Sequence, residues 1–539
     1  MRLYWIERIW VVKFAFILFL VTLLPYLFGY QQEDPDWKFS GFVIGVEDGN
    51  SYVAKMMRGA AGEVLFETPY TAFPQSGLIT FIPYTLLGKL ASGLEIHDQM
   101  IGLFQIFRFI GCVLMSLATY DLIGLFIGDI DIRRKALIFA MVGGGLGWLA
   151  VLGLGQLWTN GLPLEFYSPE TFGFLSAFSL PHLAVSRALL LWGFFFYLKE
   201  VPHASKFLKN AWITGTLWLV MGFFQPLAIV TGWLVLAVHL IVRAIVNVLR
   251  NMRGHVASWS NWLINLRQVV IIGFISSPWV IYNLICSYTD FYLQGWASQN
   301  IILSPPIIDY VLAFIPIIPF VAISIWEIAK TQNSKSIFLI GWMAAFPILA
   351  YFPYQLQRRL PEGIWVGMTI LGFLWMGKLS ENGRKWVTPF VLFSLLPAIG
   401  ILMGSIASLQ TKSEPVFISQ NEIRCYQAVQ QNANVNDVVM ASYETGNALP
   451  AWAPVKVLIG HGPESIKLQE VQPLVHQIYQ SSTLENERVS IMKKFDVKYI
   501  YWGRHEASLG DWKPTMNQGY HLIYENEFCS VWRVSGAEH

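Results

Sequence analysis

The sequence predicts an all-α polytopic membrane bundle of about eleven transmembrane helices, followed by a small C-terminal α/β domain outside the membrane. Three observations carry this. Of the 539 residues, 54% are hydrophobic and only 13% charged, about half the 25% charge of soluble globular domains. The apolar residues gather into runs of about 20, the length a helix needs to cross the hydrocarbon core with every backbone group bonded internally. From about residue 410 the composition turns hydrophilic and alternates short β-rich and helical patterns.

This composition excludes a soluble enzyme, a disordered chain and a nucleic-acid binder with a basic face. The net charge of +2, from 37 basic and 35 acidic residues, is too balanced to imply a polyanionic partner. Four cysteines are too few for a disulfide scaffold. Cys112 and Cys286 sit in apolar runs as packing residues. Cys425 and Cys529 both fall in the hydrophilic tail and can pair if it lies outside the cell.

The first span is expected at about 11–30. Its apolar run is too long for a cleavable signal peptide, and no small-residue cleavage site follows it. Further spans are expected near 101–127, 136–157, 183–198, 211–224, 227–246, 268–288, 307–328, 336–354, 363–377 and 387–409. Gln225-Pro226 interrupts the 211–246 pair, which reads as two short spans joined by a tight outer turn.

With the N-terminus in the cytoplasm, the inner connections hold Arg133, Arg134 and Lys135, then Lys199, Lys206 and Lys209. Arg243, Arg250, Arg253 and Arg267 follow, then Lys330 and Lys335, and last Lys378, Arg384 and Lys385. The outer connections at about 158–182 and 289–306 hold no Lys or Arg. A wrong span count would scramble this alternation. The expected arrangement is a multi-pass protein of the cell (inner) membrane, N-terminus cytoplasmic and C-terminal domain extracytoplasmic. Two domains are expected: 1–409, with a long first outer loop at 31–100, and 410–539. In the tail, strands are expected at Val438–Ala441, Val455–Ile459, Val497–Trp502, His521–Tyr524 and Ser530–Val534. Helical patterns lie near 419–431, 464–480 and 484–495.

A carboxylate beside a membrane span is costly unless it faces water or a partner, so acids near the spans are the first suspects. The first outer loop begins GFVIGVEDGNSYVAKMMRGAAGE. Glu47 and Asp48 follow an apolar run and precede a helical pattern containing Tyr52. Two readings fit: a reactive carboxylate, or Asp48 or Asn50 as an ordinary helix N-cap. A second outer loop, NGLPLEFYSPETFGFLSAFSLPHLAVSRALLL, carries Glu165 and Glu170, with His182 and Arg187 at the outer end of the next span. Glu170 reads either as functional or as a solvated loop acid with Pro169 starting a helix. In YFPYQLQRRLPEG, Arg358 and Arg359 break the basic-free outer face. They are interfacial anchors, or a clamp whose planar forks match a lipid-linked phosphate. Arg187 is the rival for that clamp, and Arg108 is structural.

The run EDGNSY and its continuation RGAAGEVLFETPYTAFPQSGLITFIPYTLLGKLA resemble the GT-C superfamily of polytopic glycosyltransferases. The protein mannosyltransferases, lipid A aminoarabinose transferases and rhizobial galacturonosyltransferases belong to it. Members carry an acidic motif just after span one, often Asp-Glu-Ala-x-Tyr. Here Asp48 and Tyr52 keep that spacing, while the second acid, Glu47, moves in front of the aspartate. The resemblance is clear over about 40–200 and looser beyond.

It implies an integral membrane glycosyltransferase moving a monosaccharide from a polyprenyl-phosphate donor to a lipid, glycan or protein acceptor at the outer face. Asp48 is then the catalytic base of an inverting displacement, with Glu47 beside it. A phosphate ester needs no acid to leave, and one placed carboxylate suffices to take the acceptor proton. The oxocarbenium-like transition state welcomes nearby negative charge. Some relatives place a second carboxylate in the second loop, so Glu170, with Glu165, His182 and Tyr52, is expected to position acceptor or metal. A weakly held Mg²⁺ or Mn²⁺ on Asp48 and Glu170 is allowed, although no cluster shows metal-ligand spacing.

The expected partners are this donor, its acceptor and membrane lipids, with no nucleic acid. The alternatives are a transporter or flippase of lipid-linked sugars, which favours inverted repeats and mid-membrane charges, and an oligosaccharide ligase or polymerase. GGGLGWL at 143–149 lies within an expected span and reads as helix packing. GHGPES at 460–465 and ETGN at 444–447 read as ordinary αβ connections, although such turns can bind anions.

Overall fold

The computed structural model describes residues 2–93, 95–199, 204–255 and 258–534. The chain forms two compact units. One holds the residues up to Leu23, Phe107–Leu284 and Ile302–Gly404; the other holds Leu24–Ile106, Ile285–Ile301 and the chain from Ser405 on.

The first unit is helical. Every expected apolar segment contains helix, but among the described residues only six helices are long and apolar enough to cross a bilayer, or seven if a bent pair counts as one. That pair, Ile307–Phe314 and Ile318–Thr331, turns by 88°. The helices Ile337–Ala350 and Ile364–Met376 are apolar and short. The expected 136–157 span is not one helix. Its helix runs Ile130–Val142 and stops at the glycine run 143–145, whose backbone forgoes helix for other partners. The 211–246 region divides as expected, into Ala204–Met221 and Leu227–Met252 with a turn at Gln225-Pro226. The buried carboxylate of Glu7 accepts from Arg134 at 2.6 Å and from Tyr120 at 2.5 Å. Arg108 donates to Thr22 Oγ1 at 3.0 Å, so this in-span cation finds a hydroxyl rather than lipid.

The second unit joins the long first loop to the C-terminal tail. Strand Trp37–Phe39 pairs antiparallel with Phe417–Ser419. The helix Val46–Ala60 crosses the helix Ile82–Gly88 at two glycines. A Cβ on Gly59 would fall 1.9 Å from the Thr85 carbonyl oxygen, and one on Gly88 would fall 1.9 Å from that of Met56. Only hydrogen at both positions allows so close a crossing.

The tail is an α/β domain with a five-stranded sheet ordered Lys456–Val457, Val438–Met440, Val497–Trp502, Ser530–Val534, Tyr520–Glu525. The first three strands are parallel, as helical crossovers require, and the last two close an antiparallel edge. The helices Leu468–Tyr479 and Glu485–Lys494 supply Val471, Val475, Ile478, Ile491 and Met492 to a core with Met440, Ile500 and Trp532. A disulfide joins Cys425 to Cys529.

Candidate functional site

The helix Val46–Ala60 begins at Gly45, whose left-handed φ of 60° suits glycine, and no side chain caps it. Neither Asp48 nor Asn50 is therefore the N-cap. Glu47 and Asp48 instead occupy the first turn, where the positive end of the helix dipole favours carboxylates.

Glu47 faces the tail. Its Oε1 accepts from the Tyr443 hydroxyl and from Gly462 N–H at 3.1 Å. Asn447 Nδ2 donates to the Glu47 carbonyl at 3.3 Å, and Asn50 Nδ2 donates to Asn447 Oδ1 at 2.8 Å. The two turns ETGN and GHGPES thus meet the acidic motif. Asp48 differs: its side chain is 61% exposed, and Oδ1 lies 3.2 Å from His461 Nε2. Tyr52, one turn on, stacks on Tyr84 at 4.7 Å between centroids and packs the helix rather than facing Asp48's partner.

Behind His461 lies a buried charge series. Burial opposes the imidazolium, but the hydrogen bond to Asp48 and the charge of Glu464 outweigh it, so the His461 pKa stands above its ordinary value. Glu464 is buried, which alone would raise its pKa. Lys55 and His461 reverse the sign and hold it below the usual carboxylate range. Lys55 Nζ lies 2.7 Å from Glu464 Oε1, Ser51 Oγ donates to the same oxygen at 2.9 Å, and Thr68 Oγ1 donates to Oε2 at 2.6 Å. Charges alternate from Asp48 at the surface, through His461 and Glu464, to Lys55 inside.

Beside Glu47 opens a cavity of about 350 Å³ that reaches Glu444, Glu414 and His505. Glu414, Glu422 and His505 place donor atoms within 4.8 Å of one another. Arg504 already pairs with Glu414 and, at 3.4 Å, with Glu422, so a cation occupies that position.

The other expected residues gather in the first unit. Glu165 is buried, and its Oε1 accepts from Gly145 N–H at 2.9 Å and Gly147 N–H at 3.0 Å. The glycine run therefore offers a backbone cradle for a carboxylate as well as a close packing contact. A Cβ on Gly145 would fall 2.0 Å from the Ala313 carbonyl oxygen. Burial raises the Glu165 pKa, and the two amides offset part of that.

Glu170 is also buried rather than solvated, and helix resumes only at Gly173. Its Oε1 lies 3.6 Å from Arg359 Nε, a side chain 37% exposed. Arg187 pairs with Glu362 at 2.5 Å and donates to the carbonyls of Pro169 and, at 2.6 Å, Glu170. Burial lifts the Glu362 pKa to about 7 against the pull of Arg187. Arg358 lies over the Tyr167 ring, 4.8 Å from its centroid. His182 is half-buried at the start of helix Pro181–Leu198.

The two expected metal ligands, Asp48 and Glu170, each face a cation: His461 in one unit, Arg359 in the other. Among the described residues, neither belongs to a group of three or more His, Cys, Asp or Glu that could hold a metal ion.

Sequence reasoning missed His461, Glu464, Tyr443, Asn447, Lys55 and Glu362. The turns GHGPES and ETGN were visible as glycine-punctuated runs after strands, and Glu362 stands three residues past Arg359. Nothing local marks Lys55 as a partner of Glu464, because they are 409 residues apart.

No protein-family model matches the chain, and no curated protein matches it. Solved structures do. The archaeal oligosaccharyltransferase AglB from Archaeoglobus fulgidus, in complex with an inhibitory peptide and a dolichol-phosphate, aligns with a TM-score of 0.54 at 12% identity. The alignment covers 93% of this chain and 70% of that one. ArnT from Cupriavidus metallidurans aligns in its apo state with a TM-score of 0.52 at 11% identity, covering 98% of this chain and 99% of that one. ArnT bound to undecaprenyl phosphate aligns at 0.50 with 13% identity over the same shares. Both neighbours are GT-C superfamily members, and the fold here is the polytopic membrane fold they share.

Proposed function

We propose that this chain is an integral membrane glycosyltransferase. It moves a monosaccharide from a polyprenyl-phosphate carrier to an acceptor hydroxyl on the extracytoplasmic side, by one inverting displacement. The observation that carries this reading is Asp48: an exposed carboxylate on a rigid helix, with one oxygen held by a buried histidine. The neighbours with this fold include one bound to undecaprenyl phosphate and one bound to a dolichol-phosphate, which supports a lipid phosphate as the leaving group.

The acceptor oxygen attacks the anomeric carbon while the bond to the carrier phosphate breaks. Asp48 takes the acceptor proton, and the phosphate leaves as an anion without needing an acid. His461 donates to Oδ1 and so orients the carboxylate, with Glu464 Oε1 3.8 Å from the other imidazole nitrogen and Lys55 paired to Glu464 behind it. Glu47 fixes the helix start against Tyr443 and Gly462 and so positions Asp48. Arg358 and Arg359 pair with the carrier phosphate, where a guanidinium fork matches two oxygens. Arg187 is committed to Glu362 and two carbonyls, so it holds the loop around Glu170. Glu170 orients Arg359.

The test is transfer by the purified protein from a labelled polyprenyl-phosphate hexose to envelope lipids and glycans. The expected product carries the sugar with inverted anomeric configuration, read by NMR. Movement of intact lipid-linked sugar across vesicles with no bond broken would support the transporter instead.

A further inference from the structure

The second unit carries its own membrane boundary. Four helices long and apolar enough to cross a bilayer begin or end within it, at 24–31, 96–106, 285–289 and 405–411. The long first loop leaves one of them at Gln31 and enters the next at Ile96. Between residues 64 and 90 that loop exposes five large apolar side chains, Val64, Leu65, Ile79, Leu86 and Leu90, the last at 72%. The far longer tail, 410–534, exposes only four among its described residues: Leu484, Val489, Met516 and Phe528. Single apolar side chains are normal on a wetted surface. A gathered set marks contact with another apolar phase.

Local structure gathers them. Phe66 and Leu78 exchange backbone hydrogen bonds of 2.8 and 2.9 Å, and both pack into a core with Tyr292 and Ile466. Their neighbours Leu65 and Ile79 are left outside that core. A Cβ on Gly77 would fall 3.2 Å from Leu65 Cβ, so the two segments pass side by side. Lys89 Nζ donates to the Gly62 carbonyl at 3.1 Å, which ties the turn holding Leu90 to the start of the same segment. The acids here pair with cations of the protein: Glu63 lies 3.7 Å from Arg58, and Glu67 2.9 Å from Lys456.

An independent observation fixes the level of this surface. Ser76 Oγ donates to Asp290 Oδ2, and Phe73 packs edge-on to Phe291 at 5.7 Å between centroids. Asp290 directly follows the membrane helix Trp259–Thr289 and caps the next helix, accepting from Leu293 N–H at 2.9 Å. The turn beside Leu65 is therefore seated at the exit of a membrane helix. The last residues of that helix, Ile285 and Tyr288, are 56% and 80% exposed. Apolar side chains at the height where a helix leaves the bilayer adjoin lipid rather than bulk water.

We infer that the 64–90 surface dips into the membrane, with the lipid of the adjoining leaflet as its partner. Leu65, Ile79, Leu86 and Leu90 enter the boundary between head groups and acyl chains. The inference stands apart from the transfer reaction, and its test reads no sugar transfer.

The test is photolabelling of the wild-type full-length protein in phosphatidylcholine vesicles doped with a phosphatidylcholine that carries a diazirine on its acyl chain. Adducts are mapped by peptide mass spectrometry. They are expected on peptides from 64–90, as on 281–288 of the membrane helix. Peptides holding Leu484, Val489, Met516 and Phe528 should stay clean, although those side chains are exposed too. Adducts on 281–288 with 64–90 as clean as the tail would overturn the inference. Protection of 64–90 from both the lipid probe and a water-soluble diazirine would assign this face to a second copy of the chain, and would overturn it equally.

Discussion

His461 Nε2 donates to Asp48 Oδ1 at 3.2 Å across 413 residues of sequence. The contact ties the acidic motif of the first loop to a turn of the C-terminal α/β domain. It orients an exposed aspartate through one of its oxygens.

If His461 aims Asp48, His461→Gln should lower kcat by about tenfold while the KM for lipid donor stays within twofold, because no donor contact is removed. A change confined to KM would argue against an aiming role. The same pair has a pH signature. The His461 pKa is raised on folding, so its contribution to stability is complete below about pH 6.5, the ordinary histidine value. That contribution is lost as pH rises through the higher folded value. Thermal midpoints of wild type and His461→Gln should therefore converge as pH rises above neutrality and separate at pH 6.

The buried Lys55–Glu464 pair supports the histidine from behind. Lys55→Met alone leaves a buried carboxylate without its cation and should cost about 3–5 kcal/mol of stability. The double variant Lys55→Met, Glu464→Gln should recover part of that loss in the thermal midpoint. A double variant as unstable as the sum of the single variants would show that the two residues act independently.

Arg358→Ala and Arg359→Ala should each raise the KM for polyprenyl-phosphate donor by about tenfold, roughly one charge-assisted phosphate contact. The KM for acceptor should not move. Steady-state kinetics with each substrate varied in turn separates the two. An effect on acceptor alone contradicts the phosphate assignment.

The Cys425–Cys529 bridge closes a loop of 104 residues. In the chain-entropy view, a loop of that length contributes about 4–5 kcal/mol. Cys529→Ala should therefore lower the midpoint of the tail's unfolding, read by differential scanning calorimetry. Alkylation of the denatured, unreduced protein should label Cys112 and Cys286 and leave the bridged pair unlabelled.

Much of the architecture was legible in the sequence because it rests on local periodicity. The strands Val497–Trp502 and Ser530–Val534 begin and end where their β-rich runs do. The break at Gln225-Pro226 falls where proline removes a helix donor. The 136–157 segment misled because hydropathy does not register that the glycine run can leave a helix, with the Gly145 and Gly147 amides cradling a carboxylate. For the same reason Glu170 could be read as a solvated acid and the burial of Glu165 left no mark: their surroundings are backbone amides and Arg359, not neighbouring residue types. Asp48 was legible as an acid after a span, but its partner was not. Tertiary pairing across more than 400 residues leaves no periodic trace, and GHGPES resembles any turn after a strand.

The central claim is that Asp48 takes the acceptor proton, and Asp48→Asn tests it most directly. The change keeps the shape and a hydrogen-bonding group toward His461 while removing the base. Sugar transfer from purified polyprenyl-phosphate donor should fall by about 10²–10⁴-fold in a protein that still unfolds in a cooperative thermal transition. Transfer at the wild-type rate by a folded Asp48→Asn protein would contradict it.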